Sequence, residues 1–291
     1  MCKQMHHSFE CIFCHGILGR IIAQMAVFIR PPNQLAMPIL PTSNQNRLLA
    51  ALPAIDRERL APRLEAVVLR AGEVLCEAGA VPIHIYFPTS AVLSLLHLME
   101  DGGSSELVAV GNEGMVGISL FMGGAATPER TVVQVGGHSH RLRAELMREE
   151  FERGGPAMEL LLRYTQAFMA QTAQVAICNR YHTIEQHLCR WLLQNLDRIA
   201  GNELAVTHSM LAGILGVRRE GISEAAARLQ QAGCISCRRG HIAVKNRDRL
   251  EAQACECYRT VQAEFARLLP QPLRADALPR RTHQPQPRPL A

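Results

Sequence analysis

The pattern of apolar and polar positions divides the chain into a strand-rich part followed by a helix-rich part. Short runs of Val, Ile and Leu recur between Gly, Pro and Asp-Gly breaks and predict strands. These runs are 67–69, 83–87, 92–98, 107–110 and 131–135. Their even spacing favours a small antiparallel β-roll or barrel. Beyond residue 154 the apolar positions follow helical spacing, so the predicted fold class is α+β.

A long apolar helix is predicted to follow the Gly-Gly-Pro sequence at 154–156 and to run to about residue 178. Leu161, Phe168 and Val175 recur every seven residues along it. A helix that is apolar on all sides is covered on two sides. The roll would cover one side, and a second copy of the helix would cover the other in a two-stranded coiled coil. A core helix inside a monomer is the alternative interpretation.

Residues 207–233 have the pattern of two short helices joined by a glycine turn. Thr207 is placed to cap the first helix, Gly216 supplies the turn, and Gly233 ends the second helix. The second helix has an apolar stripe at helical spacing, formed by Ile222, Ala225, Ala226 and Leu229. Its N-terminal end is polar and basic, which is typical of a helix that enters the DNA major groove. The alternative is an ordinary helical hairpin with a solvated outer face.

The remaining segments complete a predicted domain order. A helix is predicted over 183–199, a hairpin over 234–244 with its turn at Arg238-Arg239-Gly240, and a last continuous helix from Arg247 to about Leu269. We divide the chain into an N-terminal extension, a sensor roll, a dimerisation helix, a DNA-binding domain and a disordered Pro/Gln/Arg-rich tail. Their bounds are 1–43, 44–153, 154–180, 181–269 and 270–291. We interpret residues 1–36 as an artefact of an upstream start codon, with a second start at Met37.

The charge distribution indicates where a polyanion would bind. Acidic residues outnumber basic ones by seven to two over 66–140, whereas basic residues outnumber acidic ones by eight to four over 201–250. A basic module joined to an acidic one favours a nucleic-acid partner for the C-terminal part. No apolar run is long enough to cross a membrane, and we expect a cytoplasmic protein. No catalytic triad, Walker loop or His-Glu-x-x-His motif is present, so the sequence does not indicate an enzyme.

With roll, long helix, helix-turn-helix and basic hairpin in this order, the chain resembles the Crp/Fnr family of bacterial transcription regulators over about 46–269. The most specific motifs are GNEGMVG at 111–117, VRREGISE at 217–224 and RRGHI at 238–242. The resemblance implies a cyclic-nucleotide-binding-like roll, a homodimer joined through the long helix, and a winged helix-turn-helix that binds a palindromic site in double-stranded DNA. RNA polymerase and a small-molecule effector are further partners that it implies.

The resemblance also implies roles for individual residues in DNA binding. Arg219 and Glu220 match positions that read base edges, where arginine donates to guanine and a carboxylate accepts from cytosine. Glu224 is placed with them, although the cyclic-AMP-receptor branch has a basic residue there, so the operator sequence does not carry over. The residues expected at the DNA backbone are Thr207, Ser209, Arg218, Arg228, Arg238 and Arg239.

The ligand pocket matches the family only in part. Gly117, Arg130 and Thr131 are the candidate pocket residues, since Arg130-Thr131 matches the pair that binds the cyclic phosphate. The carboxylate expected for the ribose hydroxyl is missing after Gly117, and an unpaired buried hydroxyl costs about 1–3 kcal/mol. The sequence therefore argues against a cyclic nucleotide as cofactor. The alternative is a purely structural role for Arg130, paired with Glu113 or Glu129.

The ten cysteines suggest metal or redox chemistry. Cys11-x-x-Cys14-His15 has the form of a haem attachment site, and Cys2, Cys11 and Cys14 with Cys76 suggest an iron–sulfur cluster, although their spacing does not match that branch of the family closely.

Two cysteine pairs, Cys234-x2-Cys237 and Cys255-x-Cys257, have the composition of a zinc site. On one continuous helix Cys255 and Cys257 would point about 200° apart. We therefore expect buried thiols and no metal. The alternative function is a ligand, redox or metal sensor that acts through protein partners without reading DNA.

Overall fold

The computed structural model describes residues 42–100, 102–124 and 126–269. The predictions made for residues 1–36, for the tail and for Cys2, Cys11 and Cys14 lie outside the described residues. Within the described ranges, no helix has both the length and the hydropathy to span a membrane.

An antiparallel roll forms the N-terminal part. Its strands are β1 (Glu65–Leu69), β2 (Val74–Cys76), β3 (His84–Pro88), β4 (Val92–Leu98), β5 (Ser104–Val110), β6 (Arg130–Val135) and β7 (Gly137–Arg143). One sheet has the order β1-β7-β3 and the other the order β2-β6-β4-β5. In the second sheet Leu93 is opposite Val110 and Val133, and all three side chains are buried. This burial explains why apolar runs predicted these strands.

Helices cover one end of the roll. They are α1 (Arg47–Ala51), α2 (Ala54–Leu60) and α3 (Ala144–Glu152). Asn46 caps α1, because its side-chain oxygen accepts from the Leu49 amide, while its amide nitrogen donates to the carbonyls of Pro88 and Gly114. This one buried side chain therefore attaches the first helix to the roll.

The long helix α4 (Gly155–Tyr181) packs against the roll, and its observed contacts correct the predicted dimer face. Leu161 is 2% exposed and lies in the core that α4 shares with the roll. Phe168 packs against both the shared core and the interior of the β-roll, and Val175 lines a crevice beneath the next helix. The heptad of Leu161, Phe168 and Val175 thus faces this chain itself, because the roll and the C-terminal part together enclose that side of α4.

The C-terminal part is a winged helix-turn-helix. Its elements are α5 (Ile184–Leu196), β8 (Glu203–Leu204), α6 (His208–Leu215), α7 (Arg219–Gln231), β9 (Ile235–Arg238) and β10 (His241–Val244). The strands form a sheet of order β8-β10-β9. Trp191 and Leu192 of α5 and Leu229 of α7 lie in its core.

Two helices replace the single last helix that the sequence predicted. α8 (Arg247–Gln253) ends because Ala254 is extended, with φ −74° and ψ 151°, outside the helical region of backbone conformation. α9 (Cys257–Leu268) begins after the break, with Glu256 as its N-cap residue. The prediction of one continuous helix is wrong. α9 returns along α4, and its Phe265 packs edge-on to Tyr164.

Candidate nucleic-acid interface and effector cavity

The helix-turn-helix has the local geometry that its sequence predicts. The Thr207 hydroxyl accepts a hydrogen bond from the Met210 amide and so caps α6. Gly216 ends α6 with φ +65°, a left-handed conformation that favours glycine. The stripe of α7 is buried throughout, and its members are Ile222, Ala225, Ala226 and Leu229. The opposite side of α7 is therefore the one presented to solvent.

Exposed charges surround the start of α7. Arg218, Arg219 and Glu220 are exposed, and Glu224 follows one turn later, also exposed. Within the described part of the chain, the guanidinium groups of Arg218 and Arg219 have no ion-pair partner. These side chains are available to an external partner, and unneutralised cations attract a polyanion.

Contacts with two neighbouring helices fix the position of α7. His208 of α6 lies 3.0 Å from the Ser223 hydroxyl through its Nδ1 atom, and burial together with the nearby Arg219 lowers the pKa of His208. On the other side, a Cβ at Gly221 would lie 2.6 Å from the Ile184 side chain, so α7 packs closely on α5. The orientation of α7 is therefore set by its contacts with both α5 and α6.

Arg228, predicted at the DNA backbone, has a partner within the domain. Its Nε atom lies 2.6 Å from a carboxylate oxygen of Glu185 on α5. This ion pair gives Arg228 a structural role in joining α7 to α5. The contact of Arg228 with DNA stays a prediction. Ser209 is exposed, whereas the Thr207 hydroxyl is already engaged as a cap.

The hairpin β9–β10 is the wing. Its turn is at Arg239 and Gly240, and Gly240 has φ +75°. Arg238 and Arg239 are exposed and, among the described residues, have no side-chain partner. The Gln230 side chain accepts from the Cys237 amide at 2.7 Å, which ties the wing to the end of α7. The two exposed arginines are thus held at a fixed position relative to α7.

The roll encloses a cavity of about 320 Å³. Gly117 and Thr131, two of the three predicted pocket residues, line it. Most of its lining is apolar, including Leu95, Met115 and Phe168. The position and size of this cavity suit a small, largely apolar molecule.

Arg130, the third predicted pocket residue, does not line the cavity. It forms a two-point ion pair with Glu77, with Nε–O and Nη–O distances of 2.7 and 2.8 Å. The paired guanidinium lowers the pKa of Glu77, and the carboxylate raises the pKa of Arg130. The expected partners were wrong, because Glu113 pairs with Arg198 and Glu129 accepts from the Thr127 hydroxyl.

Glu129 lines the cavity, so an acidic side chain is present there, although not at the position after Gly117. The sequence analysis did not place Glu129 in the cavity, because its position next to Arg130 suggested an ion pair between the two. A cyclic phosphate in this cavity would meet a carboxylate, while Arg130 is held by Glu77. Electrostatics therefore disfavour an anionic ligand.

The motif at 111–117 joins the roll to other parts of the chain. A Cβ at Gly114 would lie 2.4 Å from the Tyr164 ring of α4, and the Tyr164 hydroxyl donates to the Met115 carbonyl at 2.6 Å. Glu113 accepts from Arg198 at 2.8 Å, where both side chains are largely buried. Burial raises the pKa of Tyr164, which stays a neutral donor. The motif is therefore a structural connection to α4 and the winged domain.

Four side chains of types that can bind metals meet where α4 ends, although the sequence argued against a metal shared by two of them, Cys255 and Cys257. The ligand atoms of Cys178, His182, Cys255 and Cys257 all lie within 4.8 Å of one another. That expectation assumed one continuous helix through Cys255 and Cys257, and the break before α9 removes that assumption. The Cys234 and Cys237 pair is not part of this group, since it belongs to the wing. The i, i+4 spacing of Cys178 and His182 was the available signal.

Comparisons with known proteins agree with this geometry. Residues 186–253 match the model of the Crp-like helix-turn-helix domain. A putative regulator of the Crp/Fnr family from Eubacterium rectale superposes with a TM-score of 0.54 at 18% identity, covering 74% of this chain and 99% of that one. FixK2 from Bradyrhizobium japonicum gives 0.55 at 15% identity, covering 66% and 98%. The c-di-GMP-responsive regulator CLP from Xanthomonas campestris gives 0.54 at 16%, covering 67% and 100%. No curated protein matches the chain by sequence.

These matches show the fold of the chain and identify its helix-turn-helix domain. The chain has the fold of the Crp/Fnr transcription regulators, with a cyclic-nucleotide-binding-like roll and a Crp-like helix-turn-helix domain. The α+β fold class and the family resemblance predicted from the sequence are confirmed.

Proposed function

We propose that this protein is a transcription regulator that binds double-stranded DNA as a homodimer, with α7 in the major groove and the β9–β10 wing on the phosphate backbone. The observation that carries the proposal is a set of four exposed arginines that have no side-chain partner among the described residues. They are Arg218, Arg219, Arg238 and Arg239. They flank a helix whose other face is buried, and such a helix fits a groove about 12 Å wide.

Base reading is assigned to the first turns of α7. Arg219 is the first residue of α7 and donates to guanine O6 and N7, while Glu220 accepts from cytosine N4. Glu224 lies one turn further along the same helix and extends the reading surface. Arg238 and Arg239 contact phosphates, which positions the domain without specifying sequence.

The dimer interface is assigned to a stripe on α4 that is exposed in the single chain. Leu162 and Met169 are seven residues apart and are 46% and 61% exposed, and Ile177, one turn from the helix end, is 46% exposed. Ala173 and Ala176 continue the stripe with exposed side chains. The positions 162, 166, 169, 173 and 176 alternate steps of four and three, which is the spacing of a coiled-coil seam.

A second copy of α4 is the occupant that this seam fits. The seam of one helix matches an identical seam across a twofold axis, and such a dimer presents two reading helices to half-sites about one DNA turn apart. A palindromic site follows from that symmetry. Mutating the seam tests this part of the proposal separately from DNA binding.

The roll cavity is assigned to effector binding, and RNA polymerase is the further partner that a regulator of this class would contact. The apolar lining and the Glu129 carboxylate favour a neutral or cationic, largely apolar effector over a cyclic nucleotide. We propose no catalytic role for the chain.

The DNA-binding test compares three single arginine variants on a duplex selected from a random pool and on an unrelated duplex. Arg219→Ala should weaken the selected duplex by about 1–3 kcal/mol, because a bidentate base contact is lost, and should leave the unrelated duplex nearly unchanged. Arg238→Ala should weaken both duplexes and reduce the slope of log K against log salt by about 1. Titrations by fluorescence anisotropy at several salt concentrations measure both quantities.

Arg141→Ala is the matched control, since Arg141 carries the same charge but pairs with Glu65 on the roll. It should change neither affinity nor salt slope. If Arg219→Ala and Arg238→Ala lost sequence preference equally, the division of roles would be wrong. Absence of duplex binding at low salt would overturn DNA binding and leave a regulator that acts through protein partners.

The dimer test places a charge in the seam. Met169→Glu and Leu162→Glu should convert a dimer into a monomer, because paired copies would bring like charges together in an apolar interface. Light scattering coupled to size-exclusion chromatography measures the mass. Ile55→Glu is the control, since Ile55 is 70% exposed on α2, away from the seam. A wild-type monomer, or a Met169→Glu dimer, would contradict this assignment.

A further inference from the structure

A closely spaced group of reactive side chains lies at the C-terminal end of α4, away from the proposed DNA-binding surface. Cys178 belongs to the last turn of α4, and His182 follows four residues later, just beyond the helix end. Residues four apart lie on the same side of a helix. Cys255 lies in the break between α8 and α9, and Cys257 is the first residue of α9. Two separate stretches of chain therefore supply two ligand-type residues each.

The distances within the group fit a tetrahedral ion. The Cys178 and Cys255 sulfurs are 3.6 Å apart, and the Cys257 sulfur is 3.4 Å from Nδ1 of His182. With zinc–sulfur bonds near 2.3 Å and zinc–nitrogen bonds near 2.0 Å, a tetrahedron has edges of about 3.8 Å between sulfurs and about 3.5 Å between sulfur and nitrogen. The sulfurs are too far apart for a disulfide, whose S–S bond is about 2.05 Å.

The surroundings of the four residues also fit a metal site. The three cysteines are buried, with exposures of 0%, 3% and 0%, and the His182 side chain is 12% exposed. Nε2 of His182 lies 3.3 Å from the Glu256 carboxylate, which leaves Nδ1 facing the sulfurs. A carboxylate on the distal nitrogen is the usual support of a metal-ligating histidine. Gln174 donates from its amide nitrogen to the Cys257 sulfur at 3.0 Å.

We propose that Cys178, His182, Cys255 and Cys257 bind one Zn²⁺ ion in a closed, structural site. Three thiolates and one imidazole are a common ligand set for structural zinc, and soft sulfur ligands disfavour magnesium and calcium. The ion connects the end of α4 to the α8–α9 junction, so it fixes the winged domain to the long helix. The proposal does not depend on DNA binding.

The experiment measures the metal content of the full chain, purified with a reductant and without oxygen. After addition of equimolar Zn²⁺ and dialysis, wild-type protein should retain one zinc ion per chain. Inductively coupled plasma mass spectrometry measures this zinc content. Cys257→Ser and His182→Ala should lose it. Two controls should keep it: Cys237→Ser, a half-buried cysteine of the wing, and the double variant Cys11→Ser/Cys14→Ser, which removes a second potential metal-binding pair.

A second measurement covers the case in which a ligand variant does not fold. Glu256→Gln changes a side chain that is 74% exposed, so folding should be retained. It should weaken zinc affinity by about 10–100-fold in competition with a chromophoric chelator, because the support of His182 is lost. Cobalt-substituted wild-type protein should show the absorption of a tetrahedral thiolate site.

Three results would overturn the proposal. One is wild-type protein that holds no zinc after reduction and reconstitution. Another is unchanged zinc content in both Cys257→Ser and His182→Ala. The third is a Cys178–Cys255 disulfide, found by peptide mass spectrometry in protein kept free of oxygen.

Discussion

The roll and the winged domain both carry arginines at positions that would suit a phosphate, but they use them in opposite ways. In the roll, Arg130 is bound by Glu77 and does not line the cavity. In the winged domain, Arg219 and Arg238 have no partner among the described residues. Residue type alone therefore does not identify an anion site, since a guanidinium is available only when no carboxylate of the same chain reaches it.

The same contrast extends to how charges are buried. Glu113 of the roll forms an ion pair with Arg198 at the border with the winged domain, and both side chains are largely buried. The winged domain leaves Arg218, Arg219, Arg238 and Arg239 exposed to water, where they cost little in stability. Mutations should therefore affect folding in the roll and binding in the winged domain.

The largest expected effect is on the ion pair at the border. Glu113→Gln removes the ion-pair partner of the Arg198 guanidinium, which is 8% exposed, and should lower the free energy of unfolding by about 3 kcal/mol. Urea titration followed by circular dichroism measures the change. The matched variant Glu77→Gln breaks an ion pair whose carboxylate is 55% exposed and should cost less than about 1 kcal/mol. Equal costs for the two variants would remove the distinction between buried and exposed pairs.

A smaller effect concerns pH and Glu106 of β5. Burial raises the pKa of Glu106, whose carboxyl accepts from the Ser94 hydroxyl. Between the two pKa values the folded chain therefore holds a proton on Glu106 that the unfolded chain has lost. The stabilisation of the folded state by this proton is fully present below the ordinary pKa of 4.5, and it is lost as the pH rises through the raised pKa. Glu106→Gln should gain stability relative to wild type between pH 4.5 and neutrality, by about 1.4 kcal/mol for each unit between the two pKa values.

Glu77→Gln should show the opposite pH dependence of stability, which makes it the comparison for Glu106→Gln. Its ion pair with Arg130 lowers the pKa of Glu77, so the stabilisation is present above the ordinary value and is lost as pH falls. The variant should be slightly less stable than wild type at neutral pH and should approach it in acid. Urea midpoints at several pH values measure both variants, and parallel pH profiles for the two would contradict the assigned environments.

Much of the fold could be predicted because its determinants are local. Strands with apolar runs, such as β4, and the cap, turn and stripe of the helix-turn-helix depend on residues a few positions apart. β7 (Gly137–Arg143) was missed, because its sequence is rich in His, Ser and Arg. It is a central strand, paired on both sides by β1 and β3, and only those pairings make it one.

The sites show the same division. The sequence by itself determined the helix-turn-helix, since capping, glycine geometry and the 3.6-residue period act within one or two turns. Only the tertiary structure decided which carboxylate binds Arg130, 53 residues away, and which face of α4 stays exposed. It also brought Cys178 to Cys255 across 77 residues. Partners so distant in the chain meet only through the topology, because nothing in their local sequence distinguishes one candidate carboxylate or thiol from another.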